Sequence, residues 1–349
     1  MGALRAVMAT IRAAGLDESV AVCRDVGRAY ANSGASRVRL GRAIDNISWA
    51  FPDWSPERVR EVAVASCSHL FGLAAEMAWT PHLFDEDQAD ADGWPRRIVI
   101  DDSAWPAIEI LRRRQPTILI CGHGGNWEVL GATIAHFGFR LHALYRPLNF
   151  RAIDRWVRQT RSRRGLELVD KYGAVEALPE IIGRGDPLGF IADQNAGLKG
   201  VFVPFFDRLA STYKSIGLTA MQFDAPLICG QARRTVDPAT RELRYRIEVF
   251  DIIRPDEWAE QPDALFYISA RYRRAIEAMV RAAPEQYLWL HRCWKTRPKF
   301  EQRGKPMPPA LREKIAALPW MTDESLARID DRSARDAHEA AAASKAASQ

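Results

Sequence analysis

From residue 97 onward the chain alternates short β-prone runs with segments of helical character, and this alternation constrains the fold more than any other feature. The runs lie near Arg97 to Asp101, Thr117 to Cys121, Leu141 to Leu144, Leu166 to Val169, Leu188 to Ala192, Leu227 to Ala232 and Tyr245 to Phe250. Helical segments fall between them at Ala104 to Arg114, Trp127 to Phe137, Arg151 to Arg164, Ala174 to Gly183 and Thr212 to Phe223. A strand that returns to a sheet through a helix lies parallel to its neighbour, so the pattern predicts an α/β fold. The expected architecture is a central mixed, largely parallel sheet flanked by helices, with any site at the carboxyl ends of the strands. Residues 1–90 read as a helical N-terminal region, 91–306 as the α/β core, and 307–349 as a C-terminal helix with a disordered tail.

One strand end carries chemistry. In ILICGHGGNWEVL, Ile118 to Leu130, the run Thr117 to Cys121 stops at a glycine, presents His123, passes two more glycines and opens into a helical segment carrying Glu128. A neutral imidazole can take a proton from an alcohol, and a carboxylate holding its other nitrogen fixes the tautomer. His123 and Glu128 are the candidate dyad. Gly122, Gly124 and Gly125 give the backbone freedom for such a turn, and free N–H groups at a helix start suit an oxyanion or a phosphate. A plain strand-to-helix loop with a capping histidine has the same spacing, so the motif alone does not decide.

Three segments in order do more. GHGGNWE, ADQNAGLKGVFVPFFDRLAST (Ala192 to Thr212) and PEQYLWLHRCWKTRP (Pro284 to Pro298) resemble the bacterial lipid A biosynthesis (lauroyl/myristoyl) acyltransferase family, within the wider group of glycerolipid and lysophospholipid acyltransferases with an H-x4-D/E motif. The resemblance runs from about Asn46 to Pro298 and includes NISWAFPDWSPERV. It implies transfer of a fatty acyl chain from an acyl thioester to a hydroxyl of a membrane glycolipid, a lipid A precursor first. A phosphatidylinositol mannoside or another phospholipid is the alternative acceptor, and a basic membrane-surface binding protein is the non-enzyme alternative. The donor would be acyl-carrier protein or acyl-CoA, and the chemistry needs neither metal nor cofactor because the thioester is already activated. It also implies that His123 and Glu128 catalyse, that an arginine ahead of Gly165 binds substrate, Arg161 before Arg163, and that Asp193 belongs to the site. Arg146, at a strand end, and Asn126 complete the substrate-binding candidates.

Composition bears on the partner. A formal charge of +5 favours an anionic one, an acidic membrane surface or nucleic acid. No nucleic-acid signature accompanies the charge. No apolar run approaches the roughly 18 residues of a spanning helix, and the N-terminus, broken by Arg5 and Arg12, lacks a signal-peptide pattern. The expected location is therefore peripheral, on the cytoplasmic face of the bacterial inner membrane. Five scattered cysteines with no C-x2-C pair disfavour a disulfide framework or structural zinc, and Cys121 reads as a small buried hydrophobe rather than a nucleophile.

Further expectations attach to single segments. On a helix, Arg151, Arg155 and Arg158 share a face that is either solvated or binds phosphate. Val201 to Phe206 suits an acyl-chain wall or plain core. Ser211 and Thr212 can cap the next helix. Trp289 and Trp294 among cations fit an interfacial membrane contact, and His291 reads as packing or capping. The apolar helix after Pro56 packs on the core, with a lipid-facing role for Leu70, Phe71, Leu73, Met77 and Trp79 as the alternative. No G-x-S-x-G elbow occurs, which removes the α/β-hydrolase reading of His-Gly-Gly. The stretch from Ser333 reads as a frayed helix or disorder.

Overall fold

The computed structural model describes residues 9–145, 147, 150–162, 165–170 and 174–347. Three helices come first: α1 (Leu16–Ala31), α2 (Arg37–Ala50) and α3 (Pro56–Trp79). The α/β region then runs β1 (Ile98–Ile100), α4 (Trp105–Arg112), β2 (Thr117–Cys121), α5 (Trp127–His136), β3 (His142–Tyr145), α6 (Arg151–Ser162), β4 (Glu167–Asp170), α7 (Ala174–Gly183) and β5 (Pro187–Ile191). After it come the hairpin β6 (Val201–Phe205) and β7 (Arg208–Thr212), α8 (Lys214–Phe223), β8 (Leu227–Val236), β9 (Leu243–Ile253), α9 (Ala264–Ala282) and, near the end, α10 (Asp323–Ala347).

Among the described residues the main sheet has seven strands in the order β1-β9-β8-β2-β5-β3-β4. Every pairing is parallel except β8 with β9, which is antiparallel, so the sheet is mixed and largely parallel as the alternation predicts. β2 is buried along its whole length at the centre, where only apolar side chains are tolerated on both faces.

The sequence reading missed the β6–β7 hairpin because Pro204 breaks the strand pattern. The hairpin pairs Val201 with Thr212 through Phe205 with Arg208 as a separate two-stranded ribbon. Val203 and Phe205 are fully buried in the core, so this apolar run is core. Ser211 and Thr212 lie in β7, and α8 begins at Lys214 without a side-chain cap.

Two further expectations are corrected by packing. Trp289 and Trp294 are buried rather than interfacial, with Trp289 Nε1 donating to the Pro284 carbonyl. The chain from Ser333 to Ala347 continues α10, and Asp336 on that helix takes a bidentate pair from buried Arg208 and a further bond from Arg297. The expectation that no run reaches spanning length is corrected by composition: Pro56–His82 is long and apolar enough to cross a membrane. Yet 61% of its apolar window is buried, and Ser66, His69 and Glu76 all point from it into the protein. Ser55 caps this helix by accepting from Arg58 N at 3.3 Å, with Pro56 at its first position.

Candidate active site

The register of the sheet builds the site. β2 and β5 are parallel neighbours, with Cys121 opposite Ile191, and Ala192 N donates to the Cys121 carbonyl at 2.9 Å. His123 and Asp193 each lie two residues past that last pair, so two strand ends deliver them to one rim. His123 Nδ1 is 2.7 Å from Asp193 Oδ1, and His123 N donates to Asp193 Oδ2 at 2.8 Å. The Asp193 side chain is 1% exposed and that of His123 15%, so the carboxylate is buried and the imidazole faces outward. Burial alone would raise the Asp193 carboxyl, but the charge of His123 and the two hydrogen bonds hold it below the usual carboxylate range.

The turn after His123 is held by backbone bonds. Gly125 N donates to the Gln286 carbonyl at 3.1 Å, Asn126 N to the Ala232 carbonyl at 2.7 Å, and Leu288 N to the His123 carbonyl at 2.9 Å. Gly125 has φ +57°, and a Cβ there would lie 2.3 Å from the Ala232 oxygen, so this position requires glycine. Asn126 caps α5 by accepting from Glu128 N and Val129 N. Its amide donates to Glu76 Oε2 at 2.9 Å, and Glu76, fully buried on α3, also accepts from Arg234 and from Tyr245 at 3.0 Å. Asn126 is thus a buried anchor of the turn, itself 0% exposed.

Glu128 makes no hydrogen bond to His123 among the described residues. Its carboxylate takes a bidentate pair from Arg161 on α6, Nε at 2.8 Å and Nη2 at 2.5 Å, and accepts Trp127 Nε1 at 2.9 Å. The orienting hydrogen bond expected from Glu128 is made by Asp193, from a neighbouring strand, instead. Burial would lower the Arg161 pKa, but Glu128 raises it overall, so the guanidinium is firmly charged. Arg161 and Arg158 both lie over the Tyr145 ring, and Tyr145 donates to Asp154 at 2.6 Å. Arg146 and Arg163 lie outside the described residues. Arg151 and Arg155 are exposed on α6.

Beside the polar cluster an apolar groove opens between the sheet and α5. Along α5 the lining passes from Trp127 and Glu128, with Arg161 beside them, to Ile134 and Phe137, and Ala107 of α4 also lines it. Trp127 stands edge-on to the His123 ring at 5.1 Å between centroids, and so joins the groove to the histidine. Cys121 also lines it, but burial pushes its thiol well above the ordinary range, and it is no thiolate.

His291, expected to pack or cap, packs its ring 4.7 Å from that of His123, and its Nε2 meets Gln194 Nε2 at 3.3 Å. Among the described residues no cluster of His, Cys, Asp and Glu suits a metal ion.

An acid-oriented imidazole beside a long apolar groove and a fixed cation can deprotonate an alcohol next to a fatty chain and an anionic group. Comparison with known proteins points the same way. The profile of the bacterial lipid A biosynthesis acyltransferase family matches residues 3–296. Among curated relatives, the lipid A biosynthesis palmitoleoyltransferase of Escherichia coli is 28% identical over 267 residues, 73% of this chain and 78% of that protein. The lauroyltransferase of the same organism is 27% identical over 266 residues, with the same coverage. Its myristoyltransferase is 23% identical over 283 residues, 78% of this chain and 79% of that protein.

Proposed function

Because this chain belongs to the bacterial lipid A biosynthesis acyltransferase family, we propose that it transfers a fatty acyl chain from an acyl thioester to a hydroxyl of a lipid A precursor, with His123 as the general base. His123 Nε2 removes the hydroxyl proton while the oxygen attacks the thioester carbonyl. The tetrahedral intermediate collapses, the C–S bond breaks, and the thiolate recovers the proton from the imidazolium. Asp193 holds the reactive tautomer and stabilises the imidazolium. Glu128 acts through its partners: it fixes Arg161 as a cation for phosphate, on the donor or on the acceptor, and fixes Trp127 beside the base.

The observation that carries this reading is the His123–Asp193 pair, joined through Trp127 to a groove lined mainly by apolar side chains. The donor is an acyl-carrier protein or acyl-CoA thioester, and the chain works at the cytoplasmic face of the inner membrane as a peripheral protein. Exposed Phe150 and Ile153 beside Arg151 and Arg155 on α6 suit an anionic lipid surface.

The test is transfer of a radiolabelled acyl group to a lipid A precursor, with both thioesters offered. His123→Ala abolishes transfer while thermal melting shows an intact fold. Near-normal turnover by that variant would sink the assignment. Mass spectrometry of lipids from cells with and without the gene identifies the acceptor and the missing chain together.

A further inference from the structure

We propose that His291 is a second catalytic histidine, whose Nδ1–H holds the thioester carbonyl oxygen as it becomes an oxyanion. The inference rests on the acyl-transfer reading above and assigns a residue that the base-and-orienter pair does not include.

The need comes from the turn itself. A thioester carbonyl under attack requires hydrogen-bond donors aimed at its oxygen, and the N–H groups around His123 are largely committed. His123 N serves Asp193, Gly125 N serves Gln286, Asn126 N serves Ala232, and Glu128 N and Val129 N serve the Asn126 side chain. The helix start that looked like an oxyanion hole is thus mostly closed by its own capping bonds.

His291 supplies what is missing. Its ring lies 4.7 Å from that of His123, tilted by 59°, so both face one small volume. We assign the ring hydrogen to Nδ1, because the Gln194 amide nitrogen placed 3.3 Å from His291 Nε2 is a donor and makes Nε2 the acceptor. That Nδ1–H has no partner among the described residues. Burial, and then the charge of His123, push the His291 pKa down to about 4, so the ring is a neutral donor that does not compete for the hydroxyl proton. The other charged groups facing it are Asp193 and Arg42.

The segment is held for the task. Fully buried Asn46 on α2 donates to the carbonyls of Trp289 at 2.8 Å and His291 at 2.7 Å, and Arg42 donates to that of Leu290 at 3.3 Å. In the reaction, the acceptor oxygen bonds to the carbonyl carbon and the C=O π pair moves onto oxygen, where the His291 N–H meets it without giving up its proton. Collapse restores the C=O bond and breaks the C–S bond.

Steady-state kinetics with a lauroyl thioester and a lipid A precursor test this. His291→Leu removes the donor, and kcat falls roughly 10²–10³-fold while KM for both substrates stays within a few-fold. His291→Asn, whose amide nitrogen overlays Nδ1, recovers at least tenfold of that loss, and His291→Gln, whose amide overlays Nε2, does not. If His291→Leu fails to fold, the Asn and Gln variants decide. The proposal is overturned by wild-type kcat in His291→Leu, by a raised acceptor KM with kcat held, or by equal activity of the Asn and Gln variants. Absence of transfer by the wild-type chain overturns the acyl-transfer reading along with it.

Discussion

Asp193 grips His123 twice, one carboxylate oxygen on the ring Nδ1 at 2.7 Å and the other on the backbone N–H at 2.8 Å. The two contacts fix both the tautomer and the rotation of the ring. Asp193→Asn keeps the volume and a backbone acceptor but cannot stabilise the imidazolium. We expect kcat to fall by roughly 10³–10⁴-fold with little change in KM. Retention of more than a tenth of wild-type kcat excludes Asp193 as the orienting acid.

The same pair sets an acid limit. A carboxyl whose pKa is depressed in the fold contributes stability that is complete above its unfolded value of about 4 and is lost as pH falls below it. His291, lowered to about 4 in the fold, binds its proton more readily when unfolded, so its contribution is lost earlier, between about pH 6.5 and 4. Urea midpoints across pH 7 to 3 therefore fall less steeply in His291→Asn over the upper window and in Asp193→Asn over the lower one. Curves parallel to wild type in both variants contradict the assignment.

Glu128 and Arg161 form a bidentate pair with side chains 10% and 16% exposed. Removing one partner leaves a nearly buried charge, so Glu128→Leu and Arg161→Met each cost about 3–5 kcal/mol. The double variant replaces both charges by apolar groups of similar size and recovers most of that stability. Activity should not return with it, because the cation proposed to meet phosphate is gone. Urea unfolding and transfer assays on the four proteins check both halves, and a stable, active double variant refutes a functional role for the pair.

How far the sequence reached depends on the range of each interaction. Strand β2, helix α7 and the start of α5 were legible to the residue, because local apolar patterning and a turn motif determine them. His123 was legible for the same reason. The partner of His123 was not, because Asp193 meets it only through the parallel register of β2 and β5, seventy positions apart in sequence. Spacing within one helix start drew attention to Glu128, whose true partner Arg161 arrives from another helix. Trp289 and Trp294 looked interfacial because neighbouring cations dominate their segment, while α2 and the hairpin bury both rings.

Glycine positions separate backbone demand from mere tolerance. Gly125→Ala forces a Cβ to within 2.3 Å of the Ala232 carbonyl oxygen at positive φ. It should cost at least about 1–3 kcal/mol and displace His123. Gly41, inside α2 with nothing within 4 Å of its Cβ position, is the control. Gly41→Ala should gain about 0.5–1 kcal/mol and leave kcat unchanged. Paired melting and activity measurements check this, and a neutral Gly125→Ala contradicts the described turn.

The groove makes a prediction about chain length. It runs along α5 from Glu128 to Phe137, nine residues and therefore about 13 Å at 1.5 Å per residue. The reacting carbonyl must lie at the His123 end, so the methyl end of the acyl chain reaches toward Ile134 and Phe137. A larger side chain at Ile134, six residues along α5 from Glu128, shortens the space away from the polar cluster. Ile134→Trp should therefore move preference toward thioesters shorter by several carbons, changing the ratio of kcat/KM between long and short donors by roughly 10–200-fold. Competition among C10 to C16 thioesters, read by mass spectrometry of the product, measures the ratio. An equal loss for all lengths means the groove does not hold the chain, because a general disturbance of the core lowers every rate together whereas a filled end excludes only the chains that reach it.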